Sequence, residues 1–334
     1  MILATEPQGQ VFQATPPPAS WQLPPAMSDT AGPVDSTYNF IFWFSVIFLV
    51  VITAAMLYFV VKYKRKKGVK SEPTGHFNRL EIFWTVTPTI FIGFLFHVGY
   101  SSYIRNATAA EGATEIRVRA KKWSWEFEYP SGDRAPSELT LEVGRPYKMI
   151  ISSEDVLHSF FIPEFRLKRD AVPGQYSFIA FTPTVAGNAQ VFCAEYCGTT
   201  HSGMLATVKV LPHKEYEEWA KTLGKCVGTP EECKPEKYGE TLFTKNACTT
   251  CHGVGGSGQI GGGKSPGPKL AGIYNTMQPM ATGPSVMADE NYIRESILRP
   301  NAKIVAGYTT VQMPAFVIKD EQLDAIIAYL KSLK

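Results

Sequence analysis

The six cysteines of this 334-residue chain fall into three pairs, and the residues beside each pair separate their chemistries. In Cys193-Ala-Glu195-Tyr-Cys197-Gly-Thr-Thr-His201-Ser-Gly-Met204, thiolates, an imidazole and a thioether share one short loop. That is the soft ligand set copper prefers. His158, upstream in Ser153-Glu-Asp-Val-Leu-His158, is the natural second imidazole. A single-copper site needs only one thiolate, which leaves Cys193 surplus. Cysteines four residues apart can instead bridge a pair of coppers, each also taking one histidine. The alternatives are a Cys193–Cys197 disulfide or a zinc site, and neither explains the methionine, a poor zinc ligand.

A second chemistry is written in Cys248-Thr-Thr-Cys251-His252. The C-x-x-C-H spacing attaches a c-type haem through two thioethers and supplies one axial histidine. Met277, Met280, Met287 and Met313 compete for the other axial position. Met313, followed by Pro314 as in small class I cytochromes c, is the first choice and Met280 the second. Gly267-Pro268-Lys-Leu270 likewise resembles the loop whose proline carbonyl holds the histidine ring in those proteins. Cys226 and Cys233 have no histidine beside them, and a disulfide is expected. Gly258 to Ser265 matches a phosphate-binding loop, but a haem motif precedes it and Pro266-Gly-Pro268 follows, so no strand and helix could aim it at phosphate. It reads as a loop of the haem-binding unit.

These sites need elements to hold them. From Glu115 apolar residues alternate: Ile116 and Val118, then Trp123, Trp125, Phe127 and Tyr129, then Leu139, Leu141 and Val143, then Tyr147, Met149 and Ile151. With recurrent Gly/Pro turns, this predicts an all-β barrel or sandwich over 112–212, in which Trp123 and Trp125 share a strand face. Lys214 to Leu223 reads as a short polar helix in a linker, 213–235. Residues 236–334 read as a small all-α unit, with Gly239 and Phe243 of its first helix crossing Tyr329 of its last.

Upstream, Tyr38 to Val61 and Ile82 to Ile104 carry no charge, and each is long enough to cross a bilayer as a helix. They predict a transmembrane hairpin over 37–104, preceded by an extended, proline-rich arm in 1–36. Lys62, Lys64, Arg65, Lys66, Lys67, Lys70 and Arg79 lie between the spans, whereas residues 1–37 hold no Lys or Arg. The loop is therefore expected to be cytoplasmic, with both termini and both redox sites outside. A cleaved leader is expected to be absent or already removed, since no basic n-region precedes an apolar core. The net charge of +3 and the lack of basic clusters interleaved with aromatics exclude a nucleic-acid partner, and 45% hydrophobic residues exclude wholesale disorder.

Cys193-x-Glu195-x-Cys197-Gly-x-x-His201-x-x-Met204 with His158 resembles the CuA motif of cytochrome c oxidase subunit II. The resemblance extends over 37–212, including the hairpin, Trp123-Ser-Trp125-Glu-Phe-Glu-Tyr129 and Asp170-Ala-Val-Pro-Gly174. It implies a cupredoxin-like Greek-key fold for 112–212 and copper ligation by the Glu195 carbonyl. The Glu195 carboxylate would reach Mg or Mn at the interface with subunit I. Trp123 would be where electrons reach CuA from a docked cytochrome c, against the plainer reading of a strand-pair tryptophan. Glu81 would sit at the entrance of a proton channel, against that of an interfacial carboxylate at a helix N-terminus.

With the C-terminal haem, the resemblance implies subunit II of a caa3-type oxygen reductase in a bacterial plasma membrane. Electrons would pass from an external donor, a cytochrome c or a quinol-oxidising complex, through haem c and CuA to a proton-pumping subunit I, with subunit III as a further partner. Neither site needs an open coordination position, so the chain alone is not expected to reduce oxygen. The rival expectations are the equivalent subunit of a CuA-containing nitric oxide reductase and a free-standing membrane-anchored electron carrier.

Overall fold

The computed structural model describes residues 18–70, 75–226, 228–310 and 313–334. Its first two helices are α1 (Ala31–Lys62) and α2 (Asn78–Asn106), both long and apolar enough to cross a membrane. They touch through aromatic side chains, with Phe44 and Phe91 stacked at 3.9 Å and Phe40 set edge-on to Phe94 at 5.6 Å. Pro88 lies inside α2.

The proline-rich arm stops being extended earlier than its composition suggests, because α1 already includes Gly32 and Pro33. Proline is tolerated there, since first-turn N–H groups have no helical acceptor. Before the helix, the arm lies on the β domain: Met27 is buried, and the Ser28 and Thr30 hydroxyls donate to the Phe165 carbonyl at 2.9 and 2.5 Å. Arg166 pairs with Asp35 at the start of α1 at 2.7 Å and donates to the Pro24 carbonyl. Membrane helix and β domain are thus tied directly.

The alternating segments form β1 (Thr114–Lys121), β2 (Ser124–Glu128), β3 (Arg134–Pro136), β4 (Glu138–Glu142), β5 (Tyr147–Ser153), β6 (His158–Ile162), β7 (Leu167–Ala171), β8 (Ser177–Phe181), β9 (Gly187–Cys193) and β10 (Leu205–Leu211). They make two five-stranded sheets, ordered β3-β2-β1-β5-β8 and β4-β10-β9-β6-β7. Pairing is antiparallel except for β1 with β5 and β4 with β10. This is a cupredoxin-like half-barrel. Its core is aromatic, with Trp125 of β2 edge-on to Phe160 of β6 at 5.4 Å. Trp123 is not on a strand: β1 and β2 meet in a tight turn at Lys122–Trp123, and the period-two pattern has no meaning within it.

After α3 (His213–Thr222) and a Cys226–Cys233 disulfide come α4 (Pro235–Lys245), α5 (Thr249–His252), α6 (Glu290–Leu298) and α7 (Asp320–Ser332). The expected crossing is present, with Phe243 and Tyr329 rings 5.5 Å apart. At Gly239 a Cβ would lie 2.0 Å from the Ala325 carbonyl oxygen, so only glycine lets α4 and α7 approach this closely. The loop that mimics a phosphate site forms a short hairpin instead, Gln259–Ile260 against Gly263–Lys264.

Candidate metal centre and haem cleft

The metal-ligand candidates converge at one end of the second sheet. His158 begins β6, Cys193 ends β9, and the loop back to β10 carries Cys197, His201 and Met204. Adjacent antiparallel strands β6 and β9 bring His158 to Cys193, with Nδ1 3.8 Å from Sγ. The two sulfurs lie 3.7 Å apart, Cys197 Sγ is 3.4 Å from His201 Nδ1, and the Met204 sulfur is 3.9 Å from Cys197 Sγ. The Glu195 carbonyl oxygen turns inward, 3.2 Å from Cys193 Sγ, while its side chain is exposed. His158, Cys193 and Cys197 form a buried group whose ligand atoms all lie within 4.8 Å of one another.

The donor set fits copper. A disulfide is not formed, because an S–S bond needs about 2.05 Å. The thiols titrate as a pair: their contact lowers Cys193 and pushes Cys197 up. Two sulfurs share one negative charge readily and would be stabilised as two thiolates only by cations between them.

Asp155, which composition did not single out, orients the site. Its carboxylate accepts from His158 Nε2 at 2.8 Å, leaving Nδ1 to face the sulfurs, and also accepts the Lys122 backbone N–H at 2.7 Å. Burial alone would lower the His158 pKa and is the largest single influence, but Asp155 and Cys193 together, by hydrogen bonding and charge, outweigh it and the net direction is up. A carboxylate behind a ligating imidazole is a common device for fixing ring orientation. The Asp-x-x-His spacing is the sequence signal that could have revealed it.

Trp123 lies beside the same loop. Its indole N–H donates to the Cys197 carbonyl at 3.2 Å. With Lys122 and Ser124 it also lines a cavity whose other wall is Cys248, Cys251, His252, Met313, Pro314 and Phe316. Glu81 is in neither site; it lies in the first turn of α2, 3.7 Å from His76 Nδ1.

The haem-ligand candidates border a cleft that is apolar through Leu270, Ile273, Ile293 and Leu330. Cys251, His252 and Met313 line it, whereas Met280 is not among its lining residues. His252 Nδ1 donates to the Pro268 carbonyl at 2.8 Å, as the resembling loop suggested, which frees Nε2 for a ligand. Burial lowers the His252 pKa and so favours the neutral, ligating imidazole. Gly267 is required for this approach: a Cβ there would sit 2.8 Å from the Cys251 carbonyl oxygen. The apolar lining and the paired Cys/His and Met donors fit a covalent haem.

Residues 16–102 match the family described as Cytochrome C oxidase subunit II, transmembrane domain, residues 134–211 that described as its periplasmic domain, and residues 236–334 that described as Cytochrome c. The chain is 30% identical over 308 residues to cytochrome c oxidase subunit 2 of Alkalihalophilus pseudofirmus, covering 89% of this chain and 86% of that protein. It is 27% identical over 219 residues to an alternative cytochrome c oxidase subunit 2 of Bradyrhizobium diazoefficiens, covering 56% and 79%. A crystal structure of the periplasmic domain of cytochrome oxidase subunit II from Bradyrhizobium japonicum is 25% identical, with a TM-score of 0.34, over 35% of this chain and 96% of that one.

Proposed function

Because the chain belongs to the cytochrome c oxidase subunit II family, we propose that it is the electron-input subunit of a caa3-type oxygen reductase, taking electrons from an external donor at haem c and delivering them through CuA to subunit I. Membership gives the coarser statement: this is a membrane-embedded electron-transfer subunit of a haem–copper oxidase, carrying copper-site and cytochrome c domains and partnering subunit I. The two groups supply one-electron carriers that change charge with little change of ligands.

The observation that carries the electron path is Trp123. One face of its turn meets Cys197 and the other borders Cys248 and Cys251. The rest of the site reads accordingly. His158, Cys193, Cys197, His201, Met204 and the Glu195 carbonyl would hold the coppers, with Asp155 fixing the His158 ring. His252 and Met313 would hold the iron, and Cys248 and Cys251 the porphyrin. The Glu195 carboxylate, exposed on the copper loop, would complete a Mg or Mn site against subunit I. Glu81 would stand at a proton-channel entrance, and the basic 62–79 loop in the cytoplasm of a bacterium, with subunit III as a further neighbour. The donor is a cytochrome c or a quinol-oxidising complex.

The test is purification of the whole complex, with metal analysis, pyridine haemochrome spectra and paired oxygen and nitric oxide consumption assays. Oxygen turnover with copper and haem c in this chain is expected. Turnover of nitric oxide alone would move the chain to a nitric oxide reductase, and isolation without a large haem-bearing subunit would make it a free-standing carrier.

A further inference from the structure

Lys121 ends β1 immediately before the Lys122–Trp123 turn and pairs with Ser124 across it. Alternation puts it on one sheet face with Arg117 and Arg119, opposite Glu126 and Glu128 of β2. The arginines pair with Glu128 at the half-open part of that face. Lys121 differs: it is only 3% exposed, with Nζ 3.6 Å from Glu126 Oε2 and 4.1 Å above the ring of Phe316. A buried ammonium persists only where neighbours replace its water. Glu126 supplies a counter-charge, itself held by Arg134 at 2.9 Å, and Phe316 supplies a π face.

These two partners belong to different units. Glu126 lies in the copper domain, whereas Phe316 is packed in the core of the helical unit, with its backbone N–H donating to the Ile297 carbonyl. Phe316 follows Met313 closely, and Pro314 stiffens the segment between them. Lys121 is also felt at Cys248, where its charge works against the burial that pushes that thiol up to about 12. The other ion pairs across this junction among the described residues, Lys319 with Asp133 and Lys245 with Glu138, join more exposed side chains.

We propose that Lys121 is a positioning residue for transfer between the two centres: gripping Phe316 while anchored on Glu126, it seats the Met313–Phe316 edge of the haem cleft against the Trp123 turn. The inference rests on the electron-input reading above. Loss of the charge loosens this seat without touching a ligand of either centre, so it slows transfer between the centres and leaves the donor's reaction with haem c alone. Arginine, also cationic and better suited to stacking on a ring, preserves it.

The experiment uses the intact oxidase complex in lipid nanodiscs, comparing Lys121→Met and Lys121→Arg with the parent by flash-induced electron transfer. A second readout, independent of turnover, is the yield of the Lys319–Asp133 cross-link formed by a zero-length carbodiimide, read by mass spectrometry. Lys121→Met is expected to slow haem c-to-copper transfer about tenfold and lower the cross-link yield, with donor-to-haem c transfer unchanged; the size is that of losing a desolvated cation–π contact. Lys121→Arg should stay close to the parent in both. Phe316→Leu, which keeps an apolar side chain but removes the ring, should slow the same step, and adding Lys121→Met to it should change little more. Parent-like transfer and cross-linking in Lys121→Met, or independent multiplication of the two effects, overturns the proposal. Absence of haem c-to-copper transfer in the parent overturns the electron-input reading instead.

Discussion

The indole N–H of Trp123 donates to the carbonyl oxygen of Cys197 at 3.2 Å, joining the β1–β2 turn to the loop that carries the metal-ligand candidates. Asp155 reinforces the link from the other side, accepting from His158 and from the Lys122 N–H with one carboxylate. The turn facing the haem cleft is therefore braced on the copper loop at two points.

Trp123→Phe keeps most of the apolar volume and removes this hydrogen bond. A contact worth about 1 kcal/mol corresponds to roughly a five- to tenfold change in rate. Transfer from haem c to copper should slow by at least that factor in flash experiments, with the donor-to-haem c step and the copper spectrum unchanged. Unaltered transfer would make Trp123 a packing residue.

Cys193 and Cys197 lie 3.7 Å apart without a bond, each with its own histidine. Electron paramagnetic resonance of the complex should show a delocalised mixed-valence copper pair, and Cys193→Ser should replace it with a localised Cu(II) signal. A localised signal in the parent would remove Cys193 from a bridging role. Met204→Leu should keep the metal and shift its potential, because a weak axial thioether tunes more than it holds.

Met313 lines the cleft with His252, whereas Met280 makes an isolated bridge with Val305. Met313→His should abolish the sulfur-to-iron charge-transfer band, and Met280→His should leave it. The opposite pattern would reassign the axial ligand.

Asp133 holds Lys319 across the junction, and hydrogen bonding by Lys319 lowers its pKa below the ordinary carboxylate value. A depressed folded pKa contributes stability above the ordinary value, about 3.9, and loses it as pH falls through the lowered one. The contribution of this pair should therefore be insensitive to pH between about 5 and 8 and weaken only in strong acid. As an exposed pair it is worth little: Asp133→Asn should slow transfer between the centres by less than about fivefold, and high salt should mimic the substitution in stopped-flow traces. A larger effect would mean that the exposed pair, rather than Lys121, carries the seat.

Much of the site was legible in the order of residues, because its signals are local. Cys193 to Met204 and Cys248 to His252 each place their donors on one short stretch of chain, where spacing and ligand softness limit the chemistry. The period-two runs gave the strands for the same reason, since a pleated chain alternates its side chains between faces. The pattern failed at Trp123, where the strand had already turned, and the extended arm read from proline content failed at Pro33, where the first turn of α1 needs no proline N–H.

What lay beyond reach involves residues far apart in sequence. Nothing in the order of residues distinguishes Lys121 from Arg117 and Arg119, yet packing against Phe316 buries the lysine and leaves the arginines to Glu128. Only the proline after Met313 favours it over Met280 along the chain, and it is the closing of the chain around the cleft that puts Met313 on its wall. Ligand type is a property of single side chains and of spacings within a loop, so it can be read along the chain. Whether a charge is buried, which methionine faces iron and which turn meets which centre depend on strand register and on how two separately folded units pack, and those follow from long-range contacts that leave no periodic trace in sequence.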